Sequence, residues 1–166
     1  IISIDVGASY EGFHGDSAFT IGVGDIDQEA EALIAVTQES LDLAIAKVRG
    51  GGHIGDISEA VQTNAEGHGY QVVRKYVGHG IGRAMHEEPR GPNYGTAGSG
   101  PLIREGMALA IEPMLNIGGW ETRQLSDGWT VVTADGSLSA HFEDTVAITE
   151  DGPQVTTRLA PGREAL

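Results

Sequence analysis

The first six residues, I-I-S-I-D-V, are apolar except at Ser3 and Asp5, which predicts a strand. Glu11-Gly12 is a turn signal, and Phe13 to Ile21 predicts the returning strand of a hairpin. With the turn at Glu11-Gly12, Asp5 opposes Ala18 and Asp16 lies two positions along on the same face. A turn one residue earlier sets Asp5 directly opposite Asp16, so the two carboxylates share a face either way. Beyond Asp25 and Asp27, either of which can cap a helix, Ala30, Leu33, Ile34, Thr37, Leu41, Ala44, Ile45 and Val48 recur at helical spacing. Gly50-Gly51-Gly52 ends that helix. A second helix follows, with Asp56 as its cap and Ile57, Ala60, Val61 and Ala65 as its apolar stripe, and Gly67 and Gly69 stop it. Tyr70 to Val77 alternates as a strand, 77–92 reads as a loop, and 91–101 is glycine-rich. The remainder predicts strands. Met107 to Ile111 is an apolar run ending in Glu112-Pro113, Thr130 to Thr133 precedes the turn Ala134-Asp135-Gly136, and Ser139 to Thr149 is a longer strand before the Asp151-Gly152 turn. The tail from Ala160 reads as a loose end. A hairpin, two helices and then several strands predict an α+β fold with antiparallel pairing.

Length and composition narrow this picture. At 166 residues the chain predicts one domain, 1–166, with enough material for a core. It begins inside an apparent strand without Met, which reads as an N-terminally truncated chain. No apolar run reaches the length of a membrane span. The formal net charge of −14 argues against direct nucleic-acid binding, which needs clustered Lys and Arg. The absence of cysteine removes disulfides, thiolate zinc sites and a cysteine nucleophile, so any metal must be held by oxygen and imidazole.

Four acids then stand out because strand interiors rarely carry carboxylates. Asp5 lies between Ile4 and Val6, Asp16 in the returning strand, Glu112 after Ala-Leu-Ala-Ile, and Glu143 after Phe142. Burying an ionised carboxylate costs several kcal/mol unless it is paired or bound to a cation. A single such acid reads as a strand end or an exposed face, but four together point to a divalent metal. Among the six histidines, His53 and His68 adjoin glycines at helix ends and are expected in solvent. His14 and His141 share strand parity with Asp16 and Glu143, which leaves open a structural role or one in support of those acids, the ordinary structural role being favoured. His79 differs because Gly78 and Gly80 flank it and permit close approach. The 77–92 stretch is neither a dinucleotide fingerprint nor a phosphate loop. His86-Glu87-Glu88-Pro89 is not the zinc motif HExxH, since position 90 is Arg and Pro89 breaks the helix that motif needs.

Taken in order, IDVGASYEGFHGD (4–16), GHGIGRAMHEEP (78–89), GMALAIEPM (106–114) and DGWTVVTADGSLSAHFEDT (127–145) resemble the type I methionine aminopeptidases of the pita-bread fold. The helix TQESLDLAIAKV (37–48) is similar as well. The resemblance implies a curved antiparallel sheet with helices on one face, the first half being incomplete here. It implies Asp5, Asp16, His79, Glu112 and Glu143 as ligands of two divalent ions (Co, Mn, Fe or Zn), with Asp16 and Glu143 bridging. It implies Glu112 as proton acceptor, His86 as a contact to the scissile peptide, and Met85 and Trp129 as walls of a methionine pocket. Glu87 and Glu88 stay outside the ligand set.

The implied reaction is removal of N-terminal methionine from nascent or short polypeptides by a hydroxide that two metals activate. The implied protein is cytoplasmic and, at full length, a monomer. The family carries a further substrate-contacting histidine upstream of the Asp5 strand, so this chain alone is expected to be inactive or poorly soluble. Two rivals share the fold: an Xaa-Pro aminopeptidase or prolidase, and a non-catalytic binding protein. HEEP directly after GHGIGRAM, together with DGWT, favours the methionine enzyme, and retention of all five ligands argues against the binder.

Overall fold

A computed structural model describes residues 1–158, so the tail expected to be loose from Ala160 lies outside the described residues. The elements in chain order are β1 (Ile2–Tyr10), β2 (Phe13–Ile21), α1 (Gln28–Ile45), α2 (Ile54–Gly67), β3 (Gln71–Val72), β4 (Gly78–Gly80), β5 (Glu87–Gly91), β6 (Ala108–Ile111), β7 (Met114–Asn116), β8 (Thr122–Gln124), β9 (Val131–Thr133), β10 (Ser139–His141), β11 (Asp144–Thr149) and β12 (Gly152–Val155). All pairings are antiparallel. A five-stranded sheet runs β12-β11-β6-β4-β5, a three-stranded one runs β10-β7-β3, and β1-β2 and β8-β9 are hairpins.

The expected hairpin forms with Asp5 opposite Ala18 and Asp16 opposite Gly7. Glu11 and Gly12 both take positive φ, the twist that a two-residue hairpin turn demands. Asp27 caps α1 by accepting the Ala30 N–H at 2.8 Å. The second helix begins differently from expectation. Its N-cap is His53, half-buried rather than solvent-exposed, and Asp56 sits three residues in, accepting the His53 N–H at 2.9 Å. His68 is exposed as expected.

The helices cover one face of the long sheet. Leu33, Leu41, Ala44, Ile57, Val61 and Ala65 meet Leu109 and Ile111 of β6 and Val146 and Ile148 of β11 in one buried cluster. Leu109 pairs with Val146 and Ile111 with Asp144, so these positions define the helix face. The alternate positions, Ala110 opposite Thr145 and His79 opposite Ala110, define the other. That second face is where the chemistry collects.

Three strand expectations need correction. The run 70–77 forms only the two-residue β3. The 77–92 stretch is not a loop: Gly78-His79-Gly80 is a buried inner strand, and Glu87–Gly91 is its edge neighbour. The long strand at 139–149 breaks at Phe142-Glu143, where Glu143 leaves its own sheet direction and pairs by backbone with Ala18. The glycines of β4 serve strand packing. A Cβ at Gly80 would collide with the Glu88 carbonyl, and one at Gly78 would crowd Ala110 O. Gly80→Ala is therefore expected to cost about 3 kcal/mol or more, read as a lowered urea midpoint.

Candidate metal centre

The second face gathers side chains from four parts of the chain. β2 is held against the sheet by its backbone: Ala18 N–H donates to Glu143 O at 3.1 Å, and Glu143 N–H donates to Ala18 O at 2.8 Å. Thr145 adds a clasp on Asp16, whose N–H donates to Thr145 Oγ1 at 2.9 Å while that hydroxyl donates to Asp16 O at 2.8 Å. Asp16 and Glu143 are thereby fixed side by side. β4 brings His79 between them and Glu112. His79 Nε2 stands 3.9 Å from Asp16 Oδ2 and 3.7 Å from Glu112 Oε1. Ligand atoms of Asp16, His79 and Glu143 all lie within 4.8 Å of one another. Asn93, itself buried, donates from Nδ2 to Glu112 O at 2.9 Å and fixes the end of β6.

The imidazole is set for ligation. His79 Nδ1 lies 2.9 Å from Gly80 O, and a carbonyl only accepts, so Nδ1 carries the proton. The Nε2 lone pair then faces the carboxylates, as a metal-binding histidine requires.

The electrostatics of the acids need a cation. Burial, reinforced by the Asp16 and Asp5 carboxylates, pushes Glu112 up to about 8. Burial, reinforced by the charges of Glu112, Asp16, Asp5 and Asp144, pushes Glu143 up to about 9. The adjoining Asp144 is the instructive contrast. It is equally buried, but Arg158 Nε donates to it at 2.7 Å and Thr157 Oγ1 at 2.7 Å. Among the described residues Glu143 has no such cation, and its buried Oε1 has no hydrogen-bond partner. Two neighbouring acids thus differ in what compensates them: Asp144 has a protein cation and Glu143 awaits an external one. Four carboxylates with one imidazole suit a divalent ion that favours oxygen and nitrogen donors.

Asp5 stands on the same hairpin face as Asp16 but is more exposed, and it reaches the cluster through the charge it exerts on Glu112 and Glu143. The His86 ring lies 4.3 Å from that of His79, and both line an open cleft with Glu112, Lys75 and Tyr76. Met85 lies across Gly7, where a Cβ would strike its methyl carbon, so it covers the hairpin beside Asp16. Trp129 is not brought in. It is 87% exposed between β8 and β9, held by its N–H to Asp127, apart from that cleft. Glu87 accepts the Ala84 N–H at 2.7 Å and shapes the turn that presents His86. Thr145 and Asn93 carry no signal in the sequence, and His141, favoured there for an ordinary structural role, lies against the cluster. Its shared parity with Glu143 is the signal that points there. Burial lowers the His141 pKa to about 4, with Asp16 acting in the opposite sense.

Residues 1–150 match the sequence profile of metallopeptidase family M24. The chain belongs to that family. Family M24 metallopeptidases use divalent metal, and the cluster of Asp16, His79 and Glu143 offers a place for it. Methionine aminopeptidase of Clostridium perfringens is 53% identical over 159 residues, covering 96% of this chain and 64% of that protein. The crystal structure of methionine aminopeptidase from Thermotoga maritima superposes with a TM-score of 0.93 at 49% identity, covering 95% of this chain and 63% of that one. Prolidase from Pyrococcus furiosus has a TM-score of 0.74 at 24% identity over 95% of this chain and 41% of its own, a likeness of fold alone. The fold is the pita-bread fold, and the chain spans just under two thirds of the length of these methionine aminopeptidases.

Proposed function

We propose that the protein removes N-terminal methionine from nascent or short polypeptides, with two divalent ions held by Asp5, Asp16, His79, Glu112 and Glu143. The observation that carries this reading is the gathering of Asp16, His79, Glu112 and Glu143 on one sheet face, with Asp5 acting on it by charge and no Lys or Arg paired to these acids among the described residues. Likeness to methionine aminopeptidases at about half identity supports the choice of substrate over the prolidase alternative, for which only the fold is shared. Co, Mn, Fe and Zn all suit this donor set. When bound, such a pair supplies Lewis-acid polarisation of the scissile carbonyl and an activated water.

The chain's own residues do the rest. Asp16 and Glu143, locked through the β2 clasp, would hold the metal with carboxylates fixed in place beforehand. Glu112, at the end of β6 beside His79, takes the proton from the attacking water. His86, at the mouth of the cleft, donates a hydrogen bond to the scissile peptide and stabilises charge developing on its oxygen. Met85 walls the side against the hairpin and contacts the methionine side chain. The enzyme works as a cytoplasmic monomer on peptide N-termini. No helix among the described residues is long and apolar enough to cross a membrane.

The test compares Met-Ala-Ser with an Xaa-Pro peptide, using the full-length protein loaded in turn with each metal. Release of methionine at a kcat/KM at least about a hundredfold above Xaa-Pro cleavage, some 2.7 kcal/mol of transition-state preference, is expected. Preferential Xaa-Pro cleavage overturns the substrate, and no cleavage with any metal overturns the activity.

A further inference from the structure

His141 ends β10, opposite Met114, with its backbone fastened to β2: Thr20 Oγ1 donates to His141 O at 2.8 Å and accepts its N–H at 2.9 Å. The side chain, 16% exposed, therefore has one place to go, the inner side of the acid cluster. Its Nε2 stands 3.8 Å from Glu143 Oε2. Among the described residues neither His141 Nε2 nor Glu143 Oε1 has a hydrogen-bond partner. A buried polar atom left open is costly, and less than 1 Å separates His141 Nε2 from a hydrogen bond to Glu143 Oε2. A carboxylate oxygen has two lone pairs, so Oε2 can accept an N–H and the carboxylate would still have lone pairs on both oxygens to offer a metal.

We propose that His141 is a positioning residue whose Nε2–H holds the Glu143 carboxylate in the orientation that binds metal. The inference rests on the reading of Glu143 as a ligand. The partner that completes a ligand from behind fixes its rotamer before metal arrives, and losing such a partner costs about 10–100-fold in metal affinity. Glutamine keeps an N–H donor of similar reach, phenylalanine keeps the ring shape without a donor, and alanine keeps neither.

The test measures the Zn2+ dissociation constant of the wild-type chain and of His141→Ala, His141→Phe, His141→Gln and Glu143→Gln, with the histidine ring tautomers of the wild type read by long-range 1H–15N spectra. The expected result is binding weakened about 10–100-fold in the Ala and Phe variants, a Gln variant within about threefold of wild type, and a wild-type His141 protonated on Nε2. Equal losses in Gln and Ala, unchanged affinity in all three variants, or a wild-type ring protonated only on Nδ1 overturns the assignment. If a His141 variant fails to fold, the wild-type tautomer decides. Zn2+ affinity left intact by Glu143→Gln overturns both the ligand reading and this inference, whereas loss in Glu143→Gln alone overturns only the role of His141.

Discussion

Glu143→Gln is expected to stabilise the metal-free protein at pH 8 and to abolish its tight binding of divalent metal. Burial and four nearby carboxylates hold the Glu143 pKa at about 9 in the folded protein, against the ordinary 4.5 of an unfolded chain. At pH 8 the folded state must keep a proton that the unfolded state releases, and this disfavours folding. Glutamine is neutral in both states, so the penalty disappears. The gain should be on the order of 2–4 kcal/mol at pH 8, shrinking to zero below pH 4.5, where both states are protonated. The same substitution removes a charge from a set of four carboxylates and leaves an amide where an ion needs an anion. Metal affinity should fall at least about a hundredfold, more than the loss of a supporting residue behind a ligand would give. Urea unfolding in EDTA across pH, together with a metal titration, reads both effects. A site that destabilises its own apoprotein marks a fold that holds stability in reserve for a ligand. Destabilisation of the metal-free protein by Glu143→Gln at pH 8 would show that the carboxylate is compensated from within.

The metal-free wild type should lose stability as pH rises from about 6.5 to about 9, and saturating divalent metal should reverse that trend. Glu112 and Glu143 have folded pKa values raised to about 8 and about 9. A raised value means stability that is fully present below the unfolded pKa and is lost as pH rises through the folded one. His141 runs the other way: its value is lowered to about 4, so its contribution is present above the unfolded 6.5 and is lost as pH falls. Between 4.5 and 6.5 the opposing groups partly offset, and above 6.5 the two glutamates outweigh His141. The fall over that upper window should be on the order of a few kcal/mol. Ions that take the place of the two protons remove the penalty, so the loaded protein should gain stability over the same range, with proton release on binding. Thermal melts in EDTA and in excess Mn2+ at pH 6.5 and 8.5 test this. A metal-free midpoint that rises with pH would contradict the reading of the acid cluster.

What the sequence disclosed depended on whether the signal was local. The hairpin register followed from one turn, so the shared face of Asp5 and Asp16 was readable before any fold was known. The helix stripes and the Asp27 cap were readable for the same reason. Glu112 could be placed because an apolar strand leads straight into it. The inner strand Gly78–Gly80 was hidden because glycine is a poor strand former by propensity, and only close approach to Glu88 and Ala110 makes it the residue that fits. The break at Phe142-Glu143 was hidden because Glu143 pairs with Ala18, 125 positions away in sequence, and no local pattern reports such a partner. His53 replaced Asp56 as the cap because the carboxylate that closes the box sits at the third helical position. Trp129 looked like a pocket wall through its family segment, but the β8-β9 hairpin carries it into solvent. His141 had its parity with Glu143 in plain view, but only burial and two open polar atoms give that parity meaning.

Metal stoichiometry tests the central claim most directly. The wild-type protein, stripped with chelator, would be titrated with Mn2+ or Co2+ by calorimetry, with bound metal counted by mass spectrometry of the dialysed protein, beside Asp16→Asn and His79→Ala. The account predicts two divalent ions per wild-type chain and loss of tight binding in both variants. A wild type that retains no divalent ion, or variants that bind as the wild type does, would contradict it.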